Sequence, residues 1–319
     1  MTQKAILVTA VMCSLCFGFA ASLAWQKLHW FESNKVNVFE KTRQEAPAVK
    51  WENSIDSTQK IEPLRIAGEL FFAGEKVPLE DPEVFERLDR ELQINVFWHS
   101  NTLLTMKLAN RYFPVIEKIL AEEGVPNDFK YLPLIESGFR DVVSPSGAAG
   151  FWQFLAPTAK LYNLEVRADI DERYHVEKST RAACAYLKKA KERLGNWTAA
   201  AASYNIGLQG MADRCKTQNS NNYYDLLLTQ ETSRYVFRML AMKAIFANPE
   251  AAGYYIKSED LYQPFSYKTI TVDTPITNIA SFAADFGLQY RHIKLLNSWL
   301  RDNYLHNKDR KVYEIKIMQ

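Results

Sequence analysis

The run YLPLIESGFRDVVSPSGAAGFWQF, residues 131–154, constrains this chain more than any other stretch. In its first half, and just ahead of it, Phe129, Leu132, Ile135 and Phe139 recur at helical spacing, so their side chains share one face. Glu136 follows Phe129 by seven residues and Leu132 by four, which sets its carboxylate on that same apolar face. A carboxylate there is costly to ionise. It either pairs with a cation or keeps its proton with a raised pKa. The second half, Ser144 to Gly150, is a run of small, turn-forming residues that leaves backbone groups open to a ligand. An acid that holds its proton beside an open loop suits cleavage of a glycosidic bond. The plainer alternative is a glutamate paired with an arginine inside a core.

The surrounding sequence reads as helix after helix. Residues 99–123 carry Tyr112, Val115, Ile116, Ile119 and Leu120 on one stripe, ended by Gly124 and Pro126. Further helices are expected from Pro157 to Leu164, Glu177 to Leu194, Trp197 to Ile206 and Glu231 to Phe246. Pro133, just before the glutamate, predicts a kink there. Four consecutive alanines after Thr198 let that helix press close to a neighbour. Ahead of these, Ile66 to Phe72 and an acidic segment from Glu80 to Arg90 lead into the fold. Near Tyr267 the character changes. Residues from Tyr267 to Val272 and from Val312 to Ile317 alternate as strands do, and two helical patterns, Ile276 to Phe286 and Tyr290 to Trp299, lie between them. The expected fold is therefore mainly α, with a small C-terminal β-α-α-β module.

The central stretch resembles the signature of the lytic transglycosylase SLT domain, a lysozyme-like helical fold related to the goose-type lysozymes. The resemblance rests on Glu136-Ser137, on Ser144-Pro145-Ser146-Gly147-Ala148-Ala149-Gly150, on Trp152-Gln153-Phe154 and on the later Ser203-Tyr204-Asn205. It covers residues from about 110 to 245 and points to the membrane-bound transglycosylase D-like branch. The family usually has alanine where this chain has Ser203. The C-terminal unit resembles a LysM module through Asp273-Thr274, Ile279-Ala280, Leu295 and Asn297, with Val272 standing where a glycine is usual.

The resemblance implies a catalytic Glu136 that cleaves the β-1,4 bond between N-acetylmuramic acid and N-acetylglucosamine, first as acid and then as base. The C6 hydroxyl closes on C1 to leave a 1,6-anhydromuramoyl end. It implies glycan contacts from Ser137, Ser144, Gln153, Tyr204, Asn205 and Tyr235, with Asn205 also ordering its helix end. Gly147 and Gly150 are implied to let the backbone approach the sugar. Glu231 is given a structural role. No cofactor and no metal are called for: Cys13 and Cys16, though spaced as C-x-x-C, lie in the N-terminal apolar run, and no His/Cys cluster suggests a metal site. His29, His99, His175, His292 and His306 share no motif.

Lys4 followed by the apolar run from Ala5 to Trp25 reads as an export segment. Residues 1–24 are either a cleaved signal peptide or a retained membrane anchor, and residues 25–62 a polar tether. Residues 63–256 form the lytic transglycosylase domain and residues 262–319 the LysM-like module, expected to be separable from it. Met12 and Leu15 precede Cys13 and Cys16, where a lipoprotein signal needs a small residue, so no lipidation is expected. The chain is expected in the periplasm or cell envelope, with peptidoglycan strands as partner. Cys184 and Cys215 either pair or serve as plain helix packing. A net charge of +2 gives no reason to propose nucleic acid. Two alternatives stay open. A goose-type hydrolase needs a second carboxylate, for which Asp141, Asp169 and Asp171 are candidates, and a non-catalytic wall-binding protein has no use for a buried acid.

Overall fold

Asp81 and Pro82 begin the first long helix, α1 (Pro82–Phe97). The Asp81 carboxylate accepts the Glu83 N–H at 2.8 Å, and Pro82 sits at the first helical position, where it has no donor to lose. Val84, Leu88, Leu92 and Val96 recur every four residues and are buried. The computed structural model describes residues 62–319. The expected export segment with its cysteines, and all of the expected tether but its last residue, lie outside the described residues.

Helix α2 (His99–Glu122) follows directly, then the 3-10 turn Asn127–Lys130 and the short α3 (Tyr131–Ser137) that carries Glu136. Beyond the small-residue loop come α4 (Ala156–Leu161), α5 (Val176–Leu194), α6 (Trp197–Ile206), α7 (Leu208–Gln218) and α8 (Gln230–Ala247). Helix α6 is the centre of the stack. Ala199, Ala200, Ala201 and Ala202 are all fully buried, and the helix packs against α5, α7 and α8 at once. Its N-terminus is capped twice: Asn196 accepts the Ala199 N–H at 2.7 Å, and the Glu75 carboxylate accepts those of Trp197 and Thr198 at 2.6 and 2.9 Å. Glu75 comes from a small hairpin, β1 (Phe71–Phe72) with β2 (Glu75–Lys76). Cys184 and Cys215 are free, buried thiols.

Helix α7 and the full length of α1 are not among the elements expected from the sequence. Pro133 corrects another expectation. It is the third residue of α3, inside the first turn, where N–H groups have no intrahelical partner, so no kink is required.

The C-terminal module pairs β3 (Tyr267–Val272) antiparallel with β4 (Tyr313–Met318), Tyr267 opposite Met318 and Val272 opposite Tyr313. Between them run α9 (Ile279–Ala284) and α10 (Tyr290–Leu296). Asn297 is fully buried; its side chain accepts the Lys316 N–H and donates to the Lys316 carbonyl, both at 2.8 Å. The module's core, with Ile279, Ile293, Leu300 and Ile315, is completed by Ala149, Ile170 and Tyr174 of the helical part.

Residues Glu62–Gln319 thus form one compact unit. The junction is dense in polar contacts. Asp171 N–H donates to the Trp299 carbonyl and Arg301 N–H to the Asp169 carbonyl, both at 2.9 Å. Asp169 also accepts the His306 N–H at 2.8 Å, and Lys311 and Lys316 pair with Glu165 and Glu177. This junction changes the expected outcome of removing residues 262–319. A chain ending near Ile256 uncovers Ile170, Tyr174 and Ala149, and burial of such side chains is worth about 2 kcal/mol each for the larger two. Thermal unfolding is expected to fall by about 10 °C or more. A truncated chain as stable as the whole would show that the junction contributes nothing.

Candidate active site

Helix α3 is seven residues long and has no stability of its own. It is held because Tyr131, Leu132, Pro133, Leu134, Ile135 and Ser137 are all buried. Gly138 ends it in a left-handed conformation (φ 59°, ψ 34°), returning its N–H to the Leu134 carbonyl at 2.9 Å. Glu136 is the one half-buried residue of the helix, and its carboxyl reaches the edge of a cleft of about 620 Å³.

Burial is the main influence on this carboxyl and pushes its pKa up. The Tyr235 hydroxyl, which donates to Glu136 Oε1, and the nearby Arg238 guanidinium oppose that rise, while the Glu231 carboxylate adds to it. The balance leaves the pKa above the ordinary value of 4.5, so the acid keeps its proton further into the neutral range. Tyr235 is buried on α8 and its own hydroxyl is pushed well up by burial and by the Glu136 charge. It stays a donor. It is a direct partner of the acid rather than the groove-lining residue expected from the sequence.

The loop after α3 is strapped from several sides. Ser144 Oγ accepts the Ala148 N–H at 3.0 Å, and the Gly147 N–H returns to the Ser144 carbonyl at 2.9 Å. Gln153 Nε2 donates to the Gly150 and Val142 carbonyls at 2.8 and 3.1 Å. Arg173 donates from Nη1 to the carbonyls of Gly147 (2.8 Å) and Phe154 (3.1 Å), while Asp171 holds the rest of the guanidinium, Nη2 to Oδ2 at 2.7 Å. Trp152 is fully buried with its indole N–H on the Thr180 hydroxyl at 2.9 Å.

The cleft brings together Glu136, Ser144, Gln153, Tyr204 and Asn205. The Tyr204 hydroxyl is spent on the Trp152 carbonyl at 2.8 Å, and Asn205 Oδ1 accepts from the Thr232 hydroxyl at 2.7 Å, tying α6 to α8. Gly147 is open, with nothing within 4 Å of where a Cβ would stand. Two expected glycan contacts are not open. Ser137 is buried and its hydroxyl donates to the Pro133 and Phe151 carbonyls, both at 3.0 Å. Gly150 is buried against the Arg173 backbone, so the close approach it permits is to the protein's own chain. Ser203 turns its hydroxyl back to the Ala200 carbonyl at 2.7 Å, which satisfies it in place.

The candidate second acids lie elsewhere. Asp169 and Asp171 are buried in ion pairs with Arg167 and Arg173 at the module junction. Asp141 lines a separate recess with Ser298 and Trp299. The carboxylate that does share the cleft with Glu136 is Glu231, exposed at the start of α8.

Residues 113–227 match the transglycosylase SLT domain family. This segment is a transglycosylase SLT domain. Residues 268–319 match the soluble lytic transglycosylase C-terminal LysM-like domain. The chain is similar to the membrane-bound lytic murein transglycosylase D of Escherichia coli strain K12, 26% identical over 243 residues, 73% of this chain and 52% of that one. The same figures hold for its counterpart in Escherichia coli O6:H1. The chain spans about half the length of these relatives. A solved inactive mutant of lytic transglycosylase Slt from Pseudomonas aeruginosa aligns with 47% of this chain and 26% of its own, at 18% identity and a TM-score of 0.34. Within the SLT domain lie Glu136, the strapped loop, Tyr204 and Asn205. Tyr235, Glu231 and Arg238 come from beyond its matched residues, on α8.

Proposed function

We propose that the chain is a peptidoglycan lytic transglycosylase that cleaves the β-1,4 bond between N-acetylmuramic acid and N-acetylglucosamine without consuming water. The observation that carries this reading is Glu136, its pKa raised by burial, at the edge of a cleft in an SLT domain. Protonated Glu136 gives its proton to the bridging oxygen as the bond breaks. The substrate's acetamido group stabilises the cation at C1. The carboxylate, now a base, takes the proton of the C6 hydroxyl, whose oxygen closes on C1 to form the 1,6-anhydro end. Tyr235 stabilises the carboxylate between the two transfers by its hydrogen bond. No step calls on a cofactor. Peptidoglycan strands are the partner, nucleic acid has no part, and the chain works in the periplasm or cell envelope, exported or anchored by residues 1–24.

One observation favours a second reading. Glu231 shares the cleft, and a hydrolase of the goose-lysozyme kind needs such a carboxylate to hold water. Product mass separates the two. Digested peptidoglycan is expected to carry sugar ends lighter by one water than reducing ends. Glu231→Gln is expected to change kcat less than about tenfold. Reducing ends together with a dead Glu231→Gln would establish the hydrolase, and no product at all a wall-binding protein.

A further inference from the structure

Glu136 lines two recesses. One is the cleft described above. The other, of about 240 Å³, lies on the side of the α1–α2 junction and is lined by Asn95, Trp98, Asn101, Arg140 and Arg238. Both arginines hold the C-terminal end of α3: Arg140 Nε donates to the Ser137 carbonyl at 3.2 Å, Arg238 Nη2 to the Ile135 carbonyl at 2.7 Å. A guanidinium has five N–H donors, so most of each remains for another acceptor. Among the described residues neither arginine is in an ion pair, whereas neighbouring Arg234 is spent on buried Glu91. Arg140 is exposed, and Trp98 beside it is 56% exposed, an indole face held at the rim with no core to cover it. The two sides of the acid differ in charge. The cleft carries Glu231 among hydroxyl and amide groups, while the recess carries two cations and an aromatic plate.

We propose that this recess binds a carboxylate carried by the muramoyl sugar, with Arg140 as its principal contact and Trp98 as a surface for the adjoining ring. The inference rests on the peptidoglycan reading. A planar guanidinium matches a carboxylate with two parallel hydrogen bonds, and an indole face suits the apolar side of a pyranose. Asn95, Trp98, Asn101 and Arg238 lie outside the matched SLT residues, so the recess is built by elements flanking that domain. The carboxylate has two sources: the lactyl acid of a sugar without a stem peptide, or the acids of the stem itself.

The test is binding to the full chain carrying Glu136→Gln, which cannot turn over substrate. The ligands are strands with stems and strands stripped of stems, each compared with its own carboxyl-amidated form. Amidation is expected to weaken binding about tenfold, and that difference to vanish when Arg140→Gln is added. Arg140→Lys should recover part of it. An Arg140-dependent difference confined to stemmed strands assigns the stem acids; one confined to stripped strands assigns the lactyl acid. If amidation has no effect on either ligand, or its effect persists without Arg140, the inference is overturned while the function stands. If Glu136→Gln, shown folded by its thermal transition, binds none of the strands, the peptidoglycan reading itself fails.

Discussion

Replacing Gly150 by alanine is expected to lower stability by about 3 kcal/mol and to abolish most activity, a larger effect than any other loop glycine will show. Two causes add. Gly150 has φ +76°, a left-handed conformation that costs an L-residue about 1–2 kcal/mol. A Cβ there would also meet the Arg173 carbonyl group, its carbon at 2.7 Å and its oxygen closer still. That group cannot step aside. The Arg173 side chain holds the Gly147 and Phe154 carbonyls, and its neighbour Asp171 is hydrogen-bonded to Trp299 of the C-terminal module. Pushing this backbone outward therefore disturbs the loop from within and from behind. Gly147→Ala is the control. It has the same hand (φ +80°) but open space around it, so only the conformational cost of about 1–2 kcal/mol applies. Thermal melts should place Gly150→Ala about 6–12 °C below the parent, with Gly147→Ala between the two. Equal shifts for the two glycines would remove the Arg173 contact from the explanation.

The same pair shows what the sequence could and could not convey. Both glycines stand in the motif, and both were expected to open the backbone to sugar. Composition marks a position where a side chain is unwelcome, but it does not say whether ligand or protein fills the space. Ser137 is a parallel case, since its hydroxyl closes two carbonyls inside the fold rather than facing the cleft. Local signals were legible in places: Trp197–Ile206, marked by its run of alanines, and Tyr267–Val272, marked by its alternation, have the bounds expected from the sequence. Helix α7 was not legible, because a helix with Gly210 inside it and only Met211 and Cys215 buried has almost no apolar stripe to read. Helix α1 carries a start signal in Asp81-Pro82, an N-cap followed by proline at the first helical position. The partners of Glu136 were beyond local pattern altogether. Tyr235 lies 99 residues downstream and Arg238 three further on, and only the packing of α8 against α3 brings them to the acid.

Glu136→Gln is expected to reduce kcat by about 10²–10⁴-fold while leaving the fold and glycan binding in place. The amide keeps the size of the side chain and an oxygen to accept the Tyr235 hydrogen bond, but it can neither give nor take the proton. Its effect on stability carries a sign that tests the site independently of turnover. Burial raises the pKa of Glu136 above its ordinary value of 4.5, so the native state binds this proton more tightly than the unfolded chain does. The stability that follows is fully present below the ordinary value and is lost as pH rises through the native one. Glutamine mimics the neutral acid at every pH and has nothing to lose. The variant should therefore gain on the parent as pH rises above 4.5 and hold a constant lead once the native carboxyl is fully ionised. The parent's activity should fall as pH rises through the native pKa, because the protonated form from which the proposed reaction begins is disappearing. Denaturant titrations across the pH range and a pH–rate profile read the two changes separately. A variant that loses stability relative to the parent with rising pH would mean that the native site favours the carboxylate. Glu136 would then be held as an ion-pair partner of Arg238, and the proton for cleavage would have to come from another group.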